Sequence, residues 1–146
     1  DRPLISANGT STLLHELVHV GSGIHAREGA DWIVEGLAEY YSVELLRRSN
    51  TISARRFEQA FARLAQWSAG QKCLPTDRSQ GAQTAHAVLV MRALDQEIRA
   101  ATQGKASLDM LVQSIAAADQ PVTNASFRVA AAALIGSPVT ALADCP

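Results

Sequence analysis

The chain has 146 residues, the length of a single domain that can bury a core without help from a metal or disulfides. Apolar residues make up 47% and charged residues 18%, which excludes a disordered chain, and no apolar run is long enough to span a bilayer. The net charge of −1 leaves no basic surplus for a phosphate backbone, so nucleic acid is not expected as a partner. We expect one domain over residues 1–146.

The first two predicted helices flank a Gly-Ser-Gly turn. Residues 11–20 are helical by pattern, with Ser11 or Thr12 as the N-cap, and the turn at 21–23 ends this helix. A second helix is predicted over about 30–48, with its apolar side chains on one face. These side chains are Ile33, Leu37, Tyr40, Tyr41 and Leu45.

A third helix follows Ser53, and its apolar side chains recur at spacings of three and four, which predicts that they belong to the core. They are Phe57, Phe61, Leu64 and Trp67. Residues 69–82 are rich in helix breakers and are predicted to form a loop. A long helix then spans about 83–102 and ends at Gly104.

The last third of the chain continues the helical pattern. Ser107 opens one predicted helix, Thr123 or Asn124 opens another, and a short turn is expected near the C-terminus. Only residues 3–5 have a weak strand pattern. The sequence therefore predicts a mainly α fold of about six helices with little or no sheet.

The segment His15-Glu16-Leu17-Val18-His19 is an HExxH motif on the first predicted helix. Two imidazoles four residues apart project from one helix face and can both reach one tetrahedral cation. Glu16 lies beside them and can take a proton from a water molecule at that cation. The motif therefore predicts a zinc site with Glu16 as the general base.

A catalytic zinc site needs a third protein ligand and an open position for water. His25 is the nearest further histidine, but its spacing from His19 does not match that of a histidine ligand after a glycine turn. Glu35 and Glu39 are better placed, because they are four residues apart on the second helix and can face the same way. If Glu35 binds the metal, Glu39 lies one turn on, where it can accept the free ring N–H of a ligand histidine.

The residues after the motif resemble a known family. Residues 32–41, WIVEGLAEYY, are similar to the W-x-x-E-G-x-x-x-Y-Y segment that follows HExxH in gluzincin metallopeptidases of the glycyl aminopeptidase family, and more loosely in the larger zinc aminopeptidase family. Residues 42–53 and segments within 88–111 are also similar to the glycyl aminopeptidase pattern. The resemblance covers about 11–115 and is strongest at the zinc motif.

The resemblance implies the helical part of a thermolysin-like catalytic domain that holds Zn²⁺ through His15, His19 and Glu35. It selects Glu35 over Glu39 as the third ligand and leaves Glu39 behind a ligand histidine. The family's tyrosine that hydrogen-bonds the developing oxyanion is missing here, and the aligned segment offers only His86 as an oxyanion donor.

In gluzincins a sheet precedes the HExxH helix, and its edge strand holds the peptide substrate. The fourteen residues before His15 are too few to build that sheet. We therefore expect either the helical portion of a longer protein with the sheet domain upstream, or a lineage that has shed the substrate-binding half.

Three functions follow from these observations. The first is a zinc-dependent, aminopeptidase-like peptidase that acts on a peptide or protein substrate. The second is a zinc-containing scaffold that binds peptides or partner domains without turnover, which the missing tyrosine and sheet favour and the intact Glu16 disfavours. The third is a metal-free helical interaction module.

The two cysteines, Cys73 and Cys145, lie beside prolines in loop-like sequence. A bridge between them would tie the end of the chain to its middle and would suit an oxidising compartment. Two unpaired thiols in a cytoplasmic protein are the alternative. On the first interpretation, we expect a periplasmic or extracellular location.

Overall fold

Six α-helices and one short 3-10 helix form the secondary structure of the residues that the computed structural model describes, which are 4–6, 9–74 and 78–143. The α-helices are α1 (Thr12–Ser22), α2 (Asp31–Arg48), α3 (Ala54–Trp67), α4 (Ala82–Ala101), α5 (Leu108–Ala117) and α6 (Asn124–Ile135), and the 3-10 helix is Thr140–Leu142. These residues contain no sheet, and an isolated parallel bridge joins Ala26 to Val122. The predicted mainly α fold is confirmed.

The weak strand pattern at 3–5 does not produce a strand in the described residues. Leu4 and Ile5 form a bend, and Pro3 lies outside the described residues. One domain over 1–146 stays a prediction. Among the described helices, none is long and apolar enough to cross a membrane.

Side-chain caps determine where several helices begin. The Ser11 hydroxyl accepts from the Leu14 amide at 3.4 Å, so Ser11 rather than Thr12 is the N-cap of α1. Thr123 caps α6 and exchanges hydrogen bonds with Ser126 in a capping box. Each cap satisfies backbone donors that the first helical turn leaves unpaired.

The start of α5 is capped from another helix. Ser107 makes no side-chain capping bond, although the sequence places it at the start of this helix. Asp95 of α4 instead accepts from the Leu108 amide at 2.8 Å and from Arg99 Nε at 2.7 Å. The Asp95 carboxylate is buried, so these two bonds replace the water it loses and connect α4 to α5.

Helix α2 is the central element, packed against α1 on one side and against α4 on another. The Trp32 indole packs edge-on against Phe127 and donates to the Asn124 side chain at 2.8 Å, which holds α6 against the start of α2. Ile33 and Val43 are completely buried. The apolar side chains of α2 therefore form much of the core that positions the following helices.

Gly36 allows α2 and α4 to approach closely. A Cβ atom at this position would lie 3.0 Å from the Ala87 Cβ and 3.3 Å from the Ala87 carbonyl carbon. Because backbone as well as side chain stands in the way, a larger residue would separate the two helices. This contact is immediately beside Glu35.

One apolar side chain predicted for the core is instead exposed. Trp67, the last residue of α3, is 58% exposed, whereas Phe61 and Leu64 of the same helix are buried. On α2, Leu45 is 37% exposed although it shares the apolar face of the pattern. The core prediction for Trp67 was wrong, because spacing along a helix does not show how much of its face is covered by other elements.

The predicted disulfide involves one cysteine within the described residues and one outside them. Cys73 is exposed, and Cys145 lies outside the described residues. The bridge and the location inferred from it stay predictions.

Candidate metal centre

The two histidines of the HExxH motif face α2. Helix α1 packs on α2 through Leu14 and Val18, which are partly buried against the core. His15 and His19 lie next to these residues along the helix, and their side chains are 16% and 28% exposed. Both rings are therefore held by packing at the α1–α2 contact while one side stays open to solvent.

Glu35 brings a carboxylate from α2 to both rings. Its Oε2 lies 3.4 Å from His15 Nε2, and its Oε1 lies 3.5 Å from His19 Nε2. The two histidine Nε2 atoms are 3.1 Å apart. These three side chains offer ligand atoms that lie within 4.8 Å of one another, and they form a group that could hold a metal ion.

Glu39 contacts the other nitrogen of His15. Its Oε2 lies 3.1 Å from His15 Nδ1, one helical turn beyond Glu35. The buried Ser42 hydroxyl donates to the Glu39 backbone carbonyl at 2.8 Å. Because Glu39 holds a proton at Nδ1, the proton that His15 releases to bind a metal ion is the one at Nε2, which leaves the tautomer that a metal ligand needs.

The charges of the group favour a protonated His15. Hydrogen bonds that His15 donates to Glu35 and Glu39 raise the pKa of His15 to about 9, against the opposing effect of burial. The same hydrogen bond with His15 lowers the pKa of Glu35, although burial acts in the other direction. A metal ion must therefore displace a proton from His15 at neutral pH.

Glu16 lies on the outer side of α1, one residue from His15. It is exposed, as are Leu13, Leu17 and Val20 on the same side of the helix. Within the described part of the chain, Glu16 makes no hydrogen bond to His15, His19, Glu35 or Glu39. Its role as a general base stays a prediction.

His86 lies in the first turns of α4, between the buried Ala85 and Ala87. Burial lowers the pKa of His86 and keeps its ring neutral. Ala87 is the residue that meets Gly36, so His86 is close in sequence to the contact beside Glu35. No hydrogen bond in the described ranges joins His86 to the metal group, and its role as an oxyanion donor stays a prediction.

His25 lies outside the metal group. It is exposed, and its backbone carbonyl accepts from the Val122 amide at 2.7 Å. That bond is part of the contact between the α1–α2 loop and the segment before α6. His25 thus contributes a backbone hydrogen bond to this contact and no side chain to the metal group.

The sequence did not reveal a cavity of about 180 Å³ next to the metal group. Glu39 forms part of its wall, together with Thr10, Arg63, Leu64 and Trp67. Trp67, which is exposed although it belongs to the apolar pattern of α3, lines this cavity. No sequence signal separated Trp67 from the other apolar residues of α3.

Comparison of the chain with protein-family models, with curated proteins and with solved structures finds no match. The resemblance to gluzincin metallopeptidases therefore stays a prediction. The fold and site define an all-α arrangement with a candidate His-His-Glu metal group.

Proposed function

We propose that this chain is a zinc-dependent metallopeptidase of gluzincin type, the helical part of a thermolysin-like catalytic domain. The supporting observation is the convergence of His15, His19 and Glu35 from two helices. Ligand atoms bound tetrahedrally to Zn²⁺ at about 2.0–2.1 Å are separated by about 3.3 Å. The two Nε2 atoms are 3.1 Å apart, and Glu35 places one oxygen 3.4 Å from His15 Nε2 and the other 3.5 Å from His19 Nε2, so these contacts are close to the spacing of zinc ligands.

The number and kind of ligands also fit a catalytic rather than a structural ion. Two imidazoles and one carboxylate are the donor set of catalytic zinc sites that keep a fourth position for water. When bound, zinc in such a site acidifies water to a pKa near about 7 and polarises a carbonyl oxygen. The partly exposed side chains of His15, His19 and Glu35 leave room for solvent and substrate.

The chain's own residues would then divide the remaining tasks. Glu16 would accept the proton of the attacking water and pass it to the leaving amine. Glu39 would hold His15 in the Nδ1–H tautomer through its 3.1 Å contact. His86, kept neutral by burial, would donate to the oxygen on which negative charge develops.

One observation favours a zinc-containing scaffold without turnover as the second candidate. Glu16 and its apolar neighbours on α1 are exposed, so nothing in the described chain covers the side of the helix that carries the general base. A peptidase excludes bulk water from the bond it cleaves, because electrostatic stabilisation is strongest in a dry site. A scaffold needs no such cover.

Two measurements test the proposal. Metal analysis of the purified chain should find one zinc per molecule, and Glu35→Gln should reduce this content while the helical circular-dichroism signal is retained. Zinc-loaded wild type should cleave members of a broad peptide library, whereas Glu16→Gln should bind zinc but cleave none. Equal behaviour of wild type and Glu16→Gln would refute the peptidase and leave the scaffold.

A further inference from the structure

A second cavity, of about 200 Å³, lies at the start of α3. Three guanidinium groups line it, those of Arg55, Arg56 and Arg63, together with the Gln59 amide. None of its lining residues in the described chain is acidic. The cavity thus combines three positive charges with hydrogen-bond donors suited to a planar anion.

The first turn of α3 contains two of these arginines, Arg55 and Arg56. Its first turn contains no acidic residue, although a positive charge is unfavourable at a helix N-terminus. Glu58, the helix's one carboxylate, binds Arg92 of α4 at 2.8 and 2.9 Å. Arg56 donates to the Ser6 carbonyl at 3.3 Å, which orients its guanidinium without neutralising it.

The cavity lined by the three arginines shares Arg63 with the cavity beside Glu39. Arg63 lines both this cavity and the one whose wall includes Glu39, and Glu39 is 3.1 Å from His15. The cavity of about 180 Å³ beside Glu39 is also lined by the exposed Trp67 and by Leu64. Charged and apolar subsites therefore follow one another from the metal group toward the start of α3.

The length of this surface matches a short extended peptide. Arg55 and Arg63 are eight residues apart on α3, which is about 12 Å along the helix axis. An extended chain covers about 12 Å with about four residues. If one residue of a bound peptide lies beside Glu39, a carboxylate about four residues further along the same peptide would reach the cavity at the start of α3.

We propose that the two cavities form one binding surface for acidic peptides. A peptide carboxylate binds in the cavity that Arg55, Arg56 and Arg63 line, and an apolar side chain of the same peptide packs against Trp67. This inference deepens the peptidase proposal and rests on it for the role of the metal centre. The carboxylate comes either from an Asp or Glu side chain or from the peptide's C-terminus, since both present the same planar anion.

Matched octapeptides distinguish these sources. One peptide carries Glu and a free C-terminus, a second replaces Glu by Gln, a third has an amidated C-terminus, and a fourth has both changes. Binding to the zinc-loaded protein is followed by tryptophan fluorescence, because Trp32 is buried and Trp67 is exposed at the proposed surface. Loss of affinity with Glu→Gln assigns the side chain, and loss with amidation assigns the C-terminus.

The test variant combines Arg55→Gln and Arg63→Gln in one chain, and Arg27→Gln is the control. Arg27 is exposed in the loop before α2 and lines neither cavity, so it changes net charge without changing the surface. We expect the peptide with both changes, Gln and an amidated C-terminus, to bind about tenfold more weakly than the peptide with Glu and a free C-terminus. The double arginine variant should remove this preference, and added salt should reduce it. Zinc content and circular dichroism should be unchanged in all variants.

Two results would overturn the inference: equal affinity of wild type for the four peptides, or a loss in Arg27→Gln as large as in the double variant. Failure of the peptidase proposal would appear differently. Selective acidic-peptide binding without cleavage would refute the peptidase but support this surface, whereas cleavage of all four peptides at equal affinity would support the peptidase and refute the surface.

Discussion

The contact between Glu39 and His15 makes a prediction in which two effects depend differently on pH. Glu39→Gln removes the negative charge beside His15 Nδ1, at a contact of 3.1 Å whose two side chains are 16% and 20% exposed. Loss of such a carboxylate partner typically weakens metal binding by about 10- to 100-fold, because the ligand nitrogen becomes less basic and less well oriented.

The same substitution also relieves competition from the proton. With the pKa of His15 at about 9, only about one ring in a hundred is deprotonated at pH 7 in the metal-free wild type. Removal of the Glu39 charge lowers the pKa of His15, so a larger fraction of the His15 rings is already deprotonated in the variant at pH 7. The loss of zinc affinity in Glu39→Gln should therefore be small at pH 7 and reach the full factor above pH 9.

Chelator competition at pH 7 and pH 9.5 measures this difference. We expect the ratio of wild-type to variant affinity to increase by about tenfold between the two pH values. Glu44→Gln is the matched control, because Glu44 lies on the same helix and pairs with Arg48. A ratio that is constant or falls with pH would refute the assigned role of Glu39, as would an equal effect of the control.

Three further predictions concern stability. The raised pKa of His15 contributes stability that is complete below pH 6.5 and is lost as pH rises through about 9. Urea unfolding in the presence of a chelator should therefore give a free energy of unfolding about 1–2 kcal/mol lower at pH 9.5 than at pH 6.5. An equal free energy at both pH values would contradict the ion pair of His15 with the two glutamates. Asp95→Ala should cost about 1–3 kcal/mol because it uncaps α5, whereas Glu58→Ala, which breaks an exposed ion pair, should cost less than about 1 kcal/mol. Gly36→Ala should lower the free energy of unfolding by about 1–3 kcal/mol and reduce zinc affinity, because the added Cβ separates α2 from α4. Gly21→Ala on α1 should be neutral or stabilising, because a Cβ there meets nothing within 4 Å. Equal shifts of the melting temperature in the two variants would exclude the close approach of α2 and α4.

The local part of the metal centre could be predicted from the sequence. The spacing of His15 and His19 places both rings on one face of a helix whatever surrounds it. Ser11 and Thr123 were likewise predictable as caps, since capping depends on residues within one turn. These features need no knowledge of how the helices pack.

The long-range part could not be derived from spacing. Spacing left Glu35 and Glu39 as alternatives, and the family resemblance selected Glu35, because a helix pattern does not say which helices are neighbours. Asp95 caps a helix that starts thirteen residues later, and Trp67 is exposed although Phe61 and Leu64 of the same helix are buried. Each depends on tertiary contacts that a single sequence does not encode in its local pattern.

X-ray absorption at the zinc edge of the metal-loaded chain tests the central claim most directly. We predict one zinc per chain with two imidazole nitrogens and one carboxylate oxygen at about 2.0–2.2 Å, and loss of one imidazole signal in His19→Ala. A zinc shell without imidazole scattering, or a spectrum unchanged by His19→Ala, would contradict the proposed metal centre.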